Sequence, residues 1–164
     1  MSTSELFRLE PEVAGGIGPR SVIKRSPGGA IDEISTLEYV FNGWMGDELL
    51  ETHPCFIVTE RLARDLERET ISGARFGEVL VDRSEEFFEL EPEVELPPFR
   101  RLFPEGKARL SDERVLYWSG HDICLMEPGY LVVSPRCLKI LKRHKIDHCD
   151  VHPLRLDPNG LKSA

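Results

Sequence analysis

Two short apolar runs, Cys55-Phe56-Ile57-Val58 and Tyr130-Leu131-Val132-Val133, interrupt an otherwise polar chain, and each leads into a hydroxyl residue, Thr59 or Ser134. An unbroken apolar run of this length bounded by turn signals reads as a buried strand, and a hydroxyl placed after it accepts a free amide of a helix's first turn. Leu62, Ala63 and Leu66 then recur at helical spacing, with Glu60 and Arg64 one turn apart on the polar side. After Ser134 the pattern repeats. Pro135 takes the first helical position, where its missing N–H is not needed, and Cys137, Leu138 and Leu141 form the apolar stripe. This second helix is expected to end near His144-Lys145, where positive charge suits the helix dipole. Exit strands are expected over Phe76 to Val81 and about His148 to Leu154, with Pro153 marking an edge or an end.

The two units also align residue by residue. A shift of 75 positions matches Asp47 with Asp122, Leu50 with Leu125, Val58 with Val133, Arg61 with Arg136, Leu66 with Leu141, Arg68 with Arg143 and Ile71 with Ile146. Upstream, Phe7 to Val13 echoes Phe88 to Val94 at a shift of 81, and Trp44-Met45-Gly46-Asp47 echoes Trp118-Ser119-Gly120-His121-Asp122. Internal similarity of this kind decides the architecture. The expected fold is α+β: two pseudo-repeated strand-helix-strand units sharing a mixed sheet, with long irregular connections. It forms a single domain over residues 1–164, read as an internal duplication of about 1–81 and 82–160. Gly15 to Pro19 and Ser26 to Gly29 are turn material, and the polar stretch between them predicts no element. Residues 91–106, with Pro92, Pro97, Pro98 and Pro104, read as an extended crossing between the copies.

Composition narrows the class. A chain of 164 residues with 40% hydrophobic and 30% charged positions fits one compact domain or two very small ones tightly joined. No apolar run approaches the roughly 18 residues of a membrane span, and the polar, acidic start lacks the features of an export signal, so a cytoplasmic location is expected. Cys55, Cys124, Cys137 and Cys149 form no CxxC pair and read as reduced thiols. The net charge of -8 argues against a general nucleic-acid binder. Nearly all of it sits in one stretch: Glu78, Asp82, Glu85, Glu86, Glu89, Glu91, Glu93 and Glu95 face only Arg83. That stretch is either a solvated connector or a patch that steers a basic partner.

Candidate chemistry is sparse. Gly16-Ile17-Gly18-Pro19 lacks the third glycine and the Lys-Ser/Thr pair of a phosphate loop. His144, His148, Cys149 and His152 are the most metal-like group, with His121, Asp122 and Cys124 as distant ligands. On a strand, however, His148 and His152 would lie about 13 Å apart, too far for one ion. Cys55 and Cys124 each have a histidine nearby in sequence, His53 and His121, but both read more simply as core thiols. The Trp-x-Gly-Asp element at Trp44 to Asp47 is either a core plug with a turn carboxylate or an amphipathic anchor for a partner.

The arrangement Phe41-x-Gly43-Trp44-x-Gly46-Asp47-x-Leu49-Leu50, then Pro54-Cys55-Phe56-Ile57-Val58-Thr59, His121-Asp122-Ile123, Tyr130 to Ser134 and Asp147-His148-Cys149 resembles immunity proteins encoded beside bacterial polymorphic toxins. The resemblance runs from about residue 36 to 154 and rests on structural motifs. It implies a non-enzymatic, cofactor-free inhibitor that binds one cognate toxin domain, and it carries no catalytic residues. Such proteins vary most where they touch the toxin, so contacts are read from this chain's own residues. A toxin domain with a basic surface is the expected partner, with neither nucleic acid nor membrane. The expected contact set is Glu85, Glu86, Phe87, Phe88, Glu89, Glu91, Glu93, Glu95 and Phe99, with Trp44 and Asp47. Two other classes remain open: a metal-dependent enzyme using the C-terminal His and Cys residues, and a regulatory domain binding a small ligand between the repeats.

Overall fold

The computed structural model describes residues 5–112 and 114–156. The chain runs β1 (Glu5–Glu10), β2 (Gly15–Ile17), β3 (Val22–Arg25), β4 (Ile31–Thr36), β5 (Glu38–Phe41), β6 (Leu49–Thr52), β7 (Cys55–Thr59) and α1 (Glu60–Arg68). It continues as β8 (Ala74–Gly77), β9 (Leu80–Arg83), α2 (Glu85–Leu90), β10 (Phe99–Pro104) and β11 (Gly106–Ser111). β12 (Arg114–Trp118), β13 (Ile123–Met126), β14 (Tyr130–Val133), α3 (Pro135–Leu141) and β15 (Asp150–Leu156) complete it. The fold is α+β and mostly β. Among the described residues no helix is long and apolar enough to cross a membrane.

Both strand-to-helix steps form as their side chains dictate. Thr59 Oγ1 accepts the Leu62 amide at 3.2 Å, and Ser134 Oγ accepts the Cys137 amide at 3.2 Å. Each N-cap satisfies one of the helix's orphan donors. Leu62, Ala63 and Leu66 of α1, and Cys137, Leu138, Ile140 and Leu141 of α3, bury their stripes in one core with Phe56, Val58, Leu131 and Val133. A fully buried Leu, Val or Phe there contributes about 1.5–3 kcal/mol. A second core gathers Tyr39, Phe41, Ile57, Phe87 and Phe99, and a third, around Leu6, Val115 and Val132, fills the barrel.

The sheets differ from a single shared one. β6-β7-β10-β8 is an antiparallel four-stranded sheet, whereas β14 lies in a closed six-stranded barrel, β1-β14-β13-β11-β12-β15. Within that barrel, β13-β14-β1-β15 is also an antiparallel run. β1 from the start of the chain pairs with β14 near its end, and β10 from the second half pairs with β7 in the first. Leu9 stands opposite Leu131 and Val151, and Leu102 opposite Phe56 and Phe76. β1 and β10 thus hold corresponding positions, and the echo of Phe7–Val13 in Phe88–Val94 does not describe the fold, since it sets strand β1 beside helix α2.

Three further expectations are corrected. Phe76 to Val81 is not one exit strand: β8 joins β10, whereas β9 runs parallel to β5 in the sheet β2-β5-β9. The connections are less irregular than their proline and glycine content implies. Residues 91–98 are irregular, but Phe99–Pro104 is a strand between β7 and β8, and β1 to β5 lie between Glu5 and Phe41, with Ser26 to Gly29 turning the β3-β4 hairpin. The last strand begins at Asp150, leaving His148 in the turn before it. Pro153 stands opposite Phe7, while β12 pairs with β15 only at Arg155 and Leu156.

The chain leaves α1 through Gly73, at φ 82°, where an added Cβ would come 2.3 Å from the Ile123 carbonyl oxygen. Both the left-handed backbone and the close approach demand glycine. Gly73→Ala is expected to lower the unfolding free energy by about 2–3 kcal/mol, measured by urea denaturation.

Candidate functional site

The acidic stretch is built on a capped helix. Ser84 Oγ accepts the Phe87 amide at 3.1 Å, and Glu85 and Glu86 occupy the first turn, where negative charge suits the dipole. Glu85, Glu86, Glu89, Glu91, Glu93 and Glu95 are all exposed, and among the described residues none has an ion-pair partner. Phe88 is 46% exposed and Leu90 71%. Arg83, the single base of the stretch, lies over the Phe88 ring at 4.1 Å and donates to the Val94 carbonyl. Glu91 also lines a shallow pocket with Trp44, Val13 and Met45, the last two 67% and 60% exposed.

Phe87, Phe99 and Asp47 are removed from the expected contact set. Phe87 is 1% exposed and Phe99 9%; both rings pack on Phe41, at centroid distances of 6.5 and 5.4 Å. Asp47 is fully buried, its carboxylate taking the His148 amide at 2.8 Å and facing His148 Nδ1 at 2.9 Å. Trp44 is half-buried against the second core and donates its indole N–H to the Asp47 carbonyl at 2.8 Å.

Two carboxylates, Glu48 buried and Asp122 partly buried, join the two halves. Glu48 accepts from Thr59 Oγ1 at 2.8 Å, from Arg61 at 2.6 Å and from the Lys145 amide at 3.0 Å, and faces His144 Nδ1 at 3.2 Å. Burial pushes its carboxyl up, but the hydrogen bonds from Arg61, Lys145, Thr59 and His144 outweigh that and hold it at about 2. Asp122 takes the same role in the second half: it accepts from Ser134 Oγ at 2.7 Å, Arg136 at 3.2 Å and the Ser72 amide at 3.0 Å. Burial again raises its carboxyl and the Ser72, Ser134 and Arg136 bonds lower it further, for a net downward shift. Each carboxylate therefore clamps its own helix cap and the turn following the other half's helix. Trp118 mirrors Trp44, donating to the His121 carbonyl at 2.9 Å.

The four metal-like residues do not converge. His144 lies between Glu48 and Asp65, 2.7 Å from the latter; His148 meets Asp47; His152 meets Glu10 at 3.3 Å. The hydrogen bond to Asp47 raises the His148 imidazole's pKa. All four cysteines are free. Burial pushes the Cys55, Cys124 and Cys137 thiols up and takes Cys149 to about 12, which leaves little thiolate. Cys55 sits in the second core and accepts a hydrogen bond from Arg101 at 3.4 Å. An open groove of about 910 Å³ between α1, Pro97-Pro98 and His144-Lys145 is rimmed by cations that already have acceptors: Arg61 on Glu48, Arg64 on Glu60, Arg68 on Asp65 and Lys145 on the Met45 carbonyl. Its cations are therefore not bare.

Glu48, Asp65 and Glu12 escaped the sequence reading. Glu48 had a findable signal, since Asp122 precedes its cap by twelve residues and Glu48 precedes Thr59 by eleven. No protein-family model matches the chain, and no curated protein matches it in sequence.

Proposed function

We propose that the chain is a non-enzymatic inhibitor of the immunity-protein kind, acting in the cytosol, which binds one toxin domain with a basic surface and closes its active site or substrate path. The observation that carries this reading is the acidic surface of α2 and the segment after it, unpaired among the described residues, with Phe88 and Leu90 exposed among the carboxylates. Six like charges held close together repel one another, and a basic partner relieves that repulsion while accelerating encounter. Exposed apolar side chains inside such a patch supply the desolvated anchors that slow dissociation. Through Glu91 the patch continues to Val13, Trp44 and Met45.

Co-expression with the neighbouring gene product tests it. The expected result is a stoichiometric complex whose association slows with salt, and about 10–100-fold further when Glu85, Glu89 and Glu93 are changed to Lys. A chain that captures no partner, or an affinity and salt dependence unchanged by the triple reversal, overturns the reading.

We also infer that the two halves arose by duplication with exchange of their third strands, β1 and β10. Supporting this are the common strand order β6-β7-β10-β8 and β13-β14-β1-β15, and the paired clamps at Glu48 and Asp122.

A further inference from the structure

We propose that Glu12, Asp47 and His148 form a binding site for one first-row divalent transition ion, with zinc as the expected occupant. One ligand atom from each of the three lies within 4.8 Å of the others. They come from three distant segments, the chain after β1, the loop before β6 and the turn before β15.

Two buried carboxylates meet there with His148, which pairs with Asp47, as the basic group beside them. Glu12 is 6% exposed and Asp47 0%, and among the described residues neither has a lysine or arginine within ion-pair distance. Glu12 Oε2 accepts the Met45 amide at 2.9 Å, while its buried Oε1 has no hydrogen-bond partner among the described residues. An acceptor stripped of water and left unmatched is an uncompensated cost, and a cation removes it.

The set is also held in place as metal ligands are. The Glu51 amide binds the Glu12 carbonyl, the Met45 amide fixes its carboxylate, and the His148 amide holds Asp47 Oδ2. Asp47 Oδ1 stands 2.9 Å from His148 Nδ1, and the two need to part by only about 0.5 Å to reach the roughly 3.4 Å between ligand atoms around a tetrahedral ion bound at about 2.1 Å. The ion takes the position between these two atoms, and a proton carried by His148 Nδ1 leaves to solvent as it binds. An imidazole beside two carboxylates favours zinc or manganese over magnesium and calcium, and zinc over manganese. The half-exposed side of His148 leaves coordination positions for water. Such an ion ties the loops carrying Val13 and Met45 to the turn before β15.

Chelator-treated protein titrated with zinc, manganese and magnesium chlorides decides it. The expected result is one equivalent of zinc, with a melting temperature about 5–10 °C higher at a hundredfold excess over Kd, and a Kd at least tenfold weaker in both Glu12→Gln and His148→Gln. On the unsubstituted protein, zinc shifts the ring resonances of His148 and leaves those of His152 in place. The proposal is overturned if no stoichiometric zinc binds, if both variants keep the original affinity, or if His152→Gln alone loses the ion. That last result would place the ion on the exposed group Glu10, Asp150 and His152.

Discussion

Glu48→Gln is expected to lower the unfolding free energy by about 3–5 kcal/mol and the melting temperature by roughly 10 °C. The side chain is 8% exposed, and its carboxylate is the common acceptor for a helix-cap hydroxyl, a guanidinium and the Lys145 amide of the other half. A neutral amide removes the charge that organises all of them and leaves His144 facing one carboxylate instead of two. The same group sets an acid limit. Its folded pKa of about 2 lies below the ordinary 4.5, so its contribution is complete above pH 4.5 and is lost as the pH falls from 4.5 towards 2. With screening by solvent around the exposed Arg61, this amounts to about 2 kcal/mol. Urea denaturation from pH 7 down to 2.5 measures both effects. The unsubstituted protein should lose stability steeply in that window and Glu48→Gln less so; a variant within 1 kcal/mol of the parent at pH 7 would show that the clamp is not structural.

The strand-to-helix units were legible because each carries a local signal that tertiary packing reinforces: an apolar run, a capping hydroxyl, a stripe at helical spacing. The partners of β7 and β14 were not. β10 begins just past Pro97-Pro98, and its buried Arg101 and terminal Pro104 read as loop residues. Arg101 is accommodated by the Ile34 carbonyl at 2.6 Å and by the Phe103 ring, contacts from distant or unpatterned positions. β3 and β4 leave Val22 and Ile31 exposed, so they lack the apolar alternation that marks a half-buried strand. The clamps were half-legible. Asp122 was noticed, but the ungapped shift pairs it with Asp47, whereas the contacts pair it with Glu48. The register changes by one residue at the turns His53-Pro54 and Glu127-Pro128-Gly129, where the second half has an extra glycine. An ungapped comparison follows the strands and helices beyond that turn and misaligns the loop before it.

Phe87→Ala is expected to destabilise the chain by about 3–5 kcal/mol, whereas Phe88→Ala, one residue along, is expected to change stability by less than about 1 kcal/mol and to weaken partner binding. Helical geometry separates the two. Phe87 turns inward, 1% exposed, edge-on to Phe41 in the cluster that Trp44 and Phe99 complete, and truncation there opens a cavity no neighbour fills. Phe88 turns outward, 46% exposed, and gives up its contact with Arg83 on truncation. Thermal denaturation of both variants, alongside affinity for the captured partner, separates core from contact surface within a single dipeptide. Equal destabilisation by the two would make α2 a structural helix on both faces, and an affinity untouched by Phe88→Ala and Leu90→Ala would remove the apolar anchors from the proposed interface. The acidic residues around them act at longer range, so their effect falls on the association rate and fades with salt. Loss of Phe88 falls instead on dissociation and persists at high salt, because the burial of a ring against a partner is not screened.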